Sequence, residues 1–250
     1  LALHGWLDNA ASFVPLIQQL PQFNWTAIDL PGHGRSFHRP EHTHYHFVDW
    51  ISDIVTLIKQ EYQQKIILVG HSLGGMLATL ISGLYPELID KLVLIDAAGL
   101  VTQEKTDGVT QLRQALDSRT KISKKTKSFS LENAISARMN AGVITKTSAQ
   151  LLVNRNVIQI ENAWLWSSDK RLKARSPIRL SEYQAQDIIR NIQAPTLICK
   201  AENGEEYMAK NIKKYQSFYA NLDIKNVSGG HHCHMDSAPE TGQFIHDFLT

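Results

Sequence analysis

Short apolar runs alternate along this chain with stretches whose apolar positions recur at helical spacing. "WTAID" (25–29), "KIILVG" (65–70), "KLVLID" (91–96), "PTLICK" (195–200) and "LDIKNV" (222–227) are too short for helices, and several are rich in Ile and Val, so they predict strands. "LALHG" at the start reads as the end of a further buried strand. Between them, residues 9–20 place Phe13, Leu16, Ile17 and Leu20 on one helical face, and residues 47–60 do the same with Trp50, Ile51, Ile54, Leu57 and Ile58. "GGMLATLISGLYP" and "PETGQFIHDFL" are further helices. Strands alternating with helices predict an α/β fold with a mostly parallel, doubly wound sheet covered on both faces.

One interval breaks this rhythm. Between Ala97 and Ala194 no strand pattern is evident, and helical patterns fall at 131–141, 147–160 and 181–191. A stretch this long is not a simple loop in a compact domain. The expected organisation is a core of residues 1–97 and 192–250, with 98–191 inserted as a helical cap. The Lys-rich stretch "RTKISKKTKSF" (119–129) reads first as a solvated face or mobile loop, with anion binding as the lesser alternative.

Composition narrows the class. Residues are 43% hydrophobic and 20% charged with a net charge of +2, which suits one well-buried core and gives no footprint for nucleic acid. The two cysteines, Cys199 and Cys233, exclude a disulfide scaffold and fit a reducing compartment, so a cytoplasmic location is expected. No apolar run is long enough to span a membrane. The chain opens at Leu1, already inside a strand pattern, so upstream residues are expected to be missing and targeting cannot be read from this end. A sheet lacking such strands would expose an edge and be poorly soluble alone.

The strongest chemical signal is "LVGHSLGGMLATL" (68–80), an apolar strand, a serine between glycines, then a helix. G-x-S-x-G in this context places Ser72 on a strained turn above the sheet, with a helix N-terminus aimed at the reacting centre. A serine nucleophile needs a base. Of the eleven histidines, those in "VSGGHHCHMDSAPE" (227–240) follow the last strand, and His231 follows two glycines that permit a close approach. His232 and His234 are its rivals. His231, His232, Cys233, His234 and Asp236 are all metal-ligand types, but adjacent ligands point apart and no standard zinc spacing occurs, so no metal or cofactor is expected. Two backbone N–H donors are needed for a tetrahedral intermediate. Leu73, directly after the serine, is one candidate, and Trp6, in the "LHGW" turn, is the other.

The set "LHGWLDNAASF", "IDLPGHGRS", "GHSLGG", "LVLIDAAG" and "GGHHCHMD" resembles the α/β-hydrolase superfamily. "HGWLDNAASF", "HRPEHTHYHF" and "WSSDKRL" (166–172) narrow the resemblance to the serine hydrolase-like proteins. The resemblance implies a Ser–acid–His mechanism, an eight-stranded sheet and a cap between the sixth and seventh strands. It leaves the acid open. Most members carry an Asp after the seventh strand, where this chain has "CKAENGEEY" (199–207) with Gly204 at the expected position. The candidates are Asp96, at the end of "KLVLID", and Glu202, Glu205 and Glu206. The implied partner is a small acyl compound, an ester or thioester, with Trp164 and Trp166 as either pocket wall or cap core. Carbon–carbon hydrolysis or cofactor-free peroxidation on the same fold is one alternative; a binding protein that has lost its acid is another.

Overall fold

The computed structural model describes residues 1–102, 108–122, 128–161 and 163–250. Part of the Lys-rich stretch, residues 123–127, therefore lies outside the described residues. In chain order the elements of the first half are β1 (Ala2–Leu3), α1 (Val14–Gln19), β2 (Ala27–Ile28), α2 (Phe47–Glu61), β3 (Ile66–His71), α3 (Leu73–Leu84) and β4 (Ile89–Ile95). Next come α4 (Gly108–Thr120), α5 (Leu131–Asn140), α6 (Lys146–Arg155), β5 (Val157–Ile160), β6 (Ala163–Trp166) and α7 (Glu182–Arg190). The chain closes with β7 (Thr196–Asn203), α8 (Glu206–Tyr215), β8 (Leu222–Gly230), α9 (Cys233–Asp236) and α10 (Ala238–Leu249).

Among the described residues the main sheet has six strands in the order β2-β1-β3-β4-β7-β8, all parallel. Its central strands read as continuous apolar runs because both faces are covered. On one face Leu68, Leu92, Leu94 and Ile198 pack with Trp50, Ile54 and Ile58 of α2 and the apolar residues of α3. On the other, Val69, Val93, Leu197 and Cys199 pack with Leu16 of α1 and Ile245 of α10. α3 is buried from Gly74 to Gly83, so its polar positions are few and its small residues many.

The inserted interval is not purely helical. The pattern read as a helix over 147–160 ends at Arg155, and Val157–Ile160 pairs with Ala163–Trp166 as an antiparallel hairpin. The alternation of apolar and polar side chains is too short there to separate from a helix turn, and the hairpin is closed by a tight turn in which Glu161 takes φ 53°. Leu172, Ala185 and Ile189, from the end of this interval, pack into the main core. Polar contacts fasten α5 and α6 to the core, Asn9 Nδ2 donating to the Leu152 carbonyl at 2.8 Å among them. Arg138 reaches Asp8 at 2.7 Å, Arg155 reaches Asp29 at 3.0 Å, and Asp236 accepts from the Thr145 and Ser148 hydroxyls at 2.7 and 2.6 Å.

Candidate active site

Ser72 sits between β3 and α3 with φ 50° and ψ −115°, a conformation that non-glycine residues rarely adopt. The surrounding glycines make the turn possible. A Cβ on Gly70 would collide with the Gly74 carbonyl, and one on Gly74 with the Leu3 carbonyl of β1. Leu73 opens α3, so its N–H has no partner within the helix. Trp6 lies in a turn closed by Asp8 N–H donating to the Gly5 carbonyl at 3.1 Å, with Leu7 at φ 61°. His4 holds that turn: its Nδ1 donates to the Gly5 carbonyl at 2.7 Å and its Nε2 accepts from Leu30 N–H at 2.9 Å. The Trp6 indole is spent elsewhere, donating to the Leu172 carbonyl at 3.1 Å.

His231 follows β8, and its Nδ1 lies 2.6 Å from Asp96 Oδ2. Asp96 terminates β4 with φ 40°, is 1% exposed, and its other oxygen accepts from Ala201 N–H at 3.2 Å. The carboxylate therefore holds the imidazole with its proton on Nδ1, leaving Nε2 as acceptor. A Cβ on Gly204 would overlap Asp96 Oδ2, so the glycine of β7's exit leaves room for an acid supplied by β4. The glutamates stand apart from this contact. Glu202 is exposed, and Glu206 pairs with Lys210 at 2.6 Å. Glu205 is exposed at the start of α8 and lines the cavity described next.

Ser72, His231, Trp6 and Trp166 line one cavity of about 1340 Å³ above the carboxyl ends of the strands. The Trp166 ring packs against that of Phe129, centroids 4.9 Å apart and planes tilted by 41°. Trp164, by contrast, lines a separate depression of about 550 Å³.

Behind His231 lies a buried polar cluster that sequence reasoning missed. His71, the variable residue of G-x-S-x-G, donates from Nε2 to the His231 carbonyl at 2.9 Å. Its ring lies 4.2 to 4.9 Å from those of His231, His232 and His234. Burial holds the His71 and His234 imidazoles well below the usual histidine range, so both are neutral. Asp8 binds His232 Nε2 at 2.9 Å and Arg138 at 2.7 Å. Although burial opposes its ionisation, these partners hold its carboxyl well below the usual carboxylate range. Asp8, His71 and His232 place ligand-type atoms within 4.8 Å of one another, but the Arg138 guanidinium already supplies the positive charge beside Asp8. Asp236, grouped by sequence with these histidines, instead accepts from the Thr145 and Ser148 hydroxyls at the start of α6. Cys199 and Cys233 are buried free thiols whose ionisation burial disfavours. Asp8 is adjacent to the Trp6 turn in sequence, whereas nothing in the pattern around Arg138 marked it.

The profile of the α/β-hydrolase fold family matches residues 1–133. The chain belongs to the α/β-hydrolase family. It is 28% identical to "Serine hydrolase-like protein" of Danio rerio over all of this chain and 80% of that one. A hypothetical protein of Pseudomonas aeruginosa PAO1 superposes with a TM-score of 0.89 at 32% identity, covering 100% of this chain and 90% of that one. The thioesterase domain from the curacin biosynthetic pathway superposes with a TM-score of 0.83 at 26% identity, covering 100% and 89%. Fold and relatives together support a hydrolase. Among the described residues no helix is long and apolar enough to cross a membrane.

Proposed function

We propose that the protein is a serine hydrolase that cleaves an ester or thioester through a covalent acyl-enzyme. Ser72 Oγ attacks the acyl carbonyl, and His231 Nε2 takes its proton. The N–H groups of Leu73 and Trp6 hold the oxyanion. The tetrahedral intermediate then collapses, and His231 returns the proton to the leaving group. Water repeats the sequence to release the acid and regenerate Ser72. Asp96 keeps the imidazole in the required tautomer and stabilises its protonated form.

The observation that carries this reading is the 2.6 Å contact between His231 and Asp96 in the same site as a serine at φ 50°. It also supports catalysis over a non-catalytic reading, since that alternative supposes a lost acid. Trp166 and Phe129 offer an apolar wall for the acyl chain. The similarity to a thioesterase domain supports the thioester alternative.

Labelling with a fluorophosphonate probe, followed by turnover of ester and thioester panels graded by acyl length, tests the proposal. Covalent labelling lost in Ser72→Ala, with turnover of at least one panel member, is the expected result. Labelling that persists in that variant places the nucleophile elsewhere.

A further inference from the structure

The charges lining the cavity are unequal once internal pairs are cancelled. Among the described residues its acidic lining consists of Asp8, Asp169 and Glu205. Asp8 is neutralised by Arg138 at 2.7 Å. Asp169 is neutralised by Arg171, whose Nε and Nη2 lie 3.0 and 2.6 Å from Oδ2, and it also accepts from the Tyr45 hydroxyl at 2.8 Å. These partners hold its carboxyl below the usual range even though burial pushes the other way. That leaves Glu205 against Lys121 and Lys173, which line the same cavity.

The fold ties the segments that carry Lys121 and Lys173 to the cavity that Ser72 and His231 also line. Lys173 follows Leu172, whose carbonyl accepts the Trp6 indole N–H at 3.1 Å, so its backbone is tied to the turn that carries the oxyanion donor. Lys121 directly follows α4, and α4 is fastened to the same segment by Arg175 N–H donating to Ser118 Oγ at 2.9 Å. Ile122, Phe129, Trp166 and Met208 supply apolar lining in the same cavity. A cleft with low-dielectric walls and an excess of one charge concentrates ligands of the opposite sign.

We propose that the compound bound in this cavity carries a negatively charged group, held at the rim formed by Lys121 and Lys173, with its apolar part along Phe129 and Trp166. The inference rests on the hydrolase reading only in taking that compound to be an acyl substrate. The charge belongs either to the acyl chain or to the leaving group.

Three chromogenic esters separate these cases. The 4-nitrophenyl half-ester of glutaric acid carries the charge on the acyl side. The butyrate ester of 3-hydroxy-4-nitrobenzoic acid carries it on the leaving group. Methyl 4-nitrophenyl glutarate is neutral. At low salt, kcat/KM for one charged ester is expected to exceed that of the neutral ester about tenfold, at the low end of electrostatic steering, and the ratio should fall as salt is added. The ratio should approach one in Lys121→Ala/Lys173→Ala and invert in Lys121→Glu/Lys173→Glu. A neutral ester that equals or outperforms both charged ones, or a preference that survives the double alanine variant, overturns the proposal and leaves the hydrolase intact.

Tryptophan fluorescence of Ser72→Ala titrated with monomethyl and dimethyl glutarate provides the independent arm. Selective binding of the monoanion by a protein that turns over no ester would overturn the hydrolase reading and leave charge selection standing. Neither turnover nor selective binding would overturn both.

Discussion

Gly204 and Asp96 compete for one volume, and that competition underlies the acid proposed for the site. The Asp96 carboxylate occupies the space that any side chain at Gly204 would enter. Asp96→Asn should lower turnover about 10³- to 10⁴-fold while leaving the fold intact, because the imidazole loses both its orientation and its counter-charge. Gly204→Asp alone should also inactivate, since two carboxylates would be forced together. Combining Asp96→Ala with Gly204→Asp moves the acid to the exit of β7, and this double variant should recover at least about tenfold over Asp96→Ala. Steady-state kinetics on one ester decides the series. Recovery absent from the double variant, with native circular dichroism, would mean that an acid at 204 cannot reach His231. By comparison, Glu206→Gln should cost less than about twofold, since that side chain is exposed and pairs with Lys210.

The elements that carry these residues approach one another more closely than side chains allow. α3 packs under β1 because Gly74 presents no Cβ to the Leu3 carbonyl, and against the chain after β4 because Gly75 presents none to Ala97. Gly74→Ala should therefore destabilise the fold by about 2 kcal/mol or more, as rigid backbone rather than a flexible side chain must yield. Gly142→Ala is the matched control. Nothing lies within 4 Å of its Cβ position, so its effect should stay within about 0.5 kcal/mol. Urea denaturation midpoints measure both, and equal midpoints would contradict the close-approach account. The β5–β6 hairpin shows the opposite situation. Its Ile158, Ile160 and Trp166 are partly exposed, so packing against a core does little to select strand over helix, and pairing between the two segments, with Phe129 bridging to Trp164, selects it instead.

Across the whole molecule, four buried histidines make stability depend on pH. Burial pushes His33 down to about 3 and holds His4, His71 and His234 below the ordinary histidine value. In the unfolded chain each protonates near 6.5. Below that pH the unfolded state therefore binds more protons than the folded one, and stability falls as pH falls towards the folded values. Each group adds up to about 1.4 kcal/mol per pH unit within its window. The Asp8 carboxyl acts in the same direction only in stronger acid, below its ordinary range. Melting temperature should drop between pH 7.5 and pH 5, and more shallowly in His234→Leu, whose ring nitrogens have no hydrogen-bond partner to lose. A flat profile over this range would show that the buried histidines protonate as readily in the folded protein as in the unfolded chain.

Local physics made the strand–helix alternation, the serine turn and the placing of His231 after the last strand legible in the chain, because each depends on residues adjacent in sequence. Short Ile- and Val-rich runs mark parallel strands buried on both faces, and Gly70, Gly74 and Gly75 mark backbone that must pass close to other backbone. Asp96 could only be ranked against Glu202, Glu205 and Glu206, since 135 positions separate it from His231 and no periodicity spans that gap. The neighbouring β4 and β7 bring the two exits together, and burial between them decides which carboxyl is held. The same holds for Asp8, His71 and Arg138. Each reads alone as an ordinary polar residue, and only tertiary contact joins them behind the catalytic histidine proposed here. The division of charge in the cavity likewise appeared only once Asp8 and Asp169 were seen to be neutralised by arginines, a pairing set by three-dimensional contact rather than by net charge.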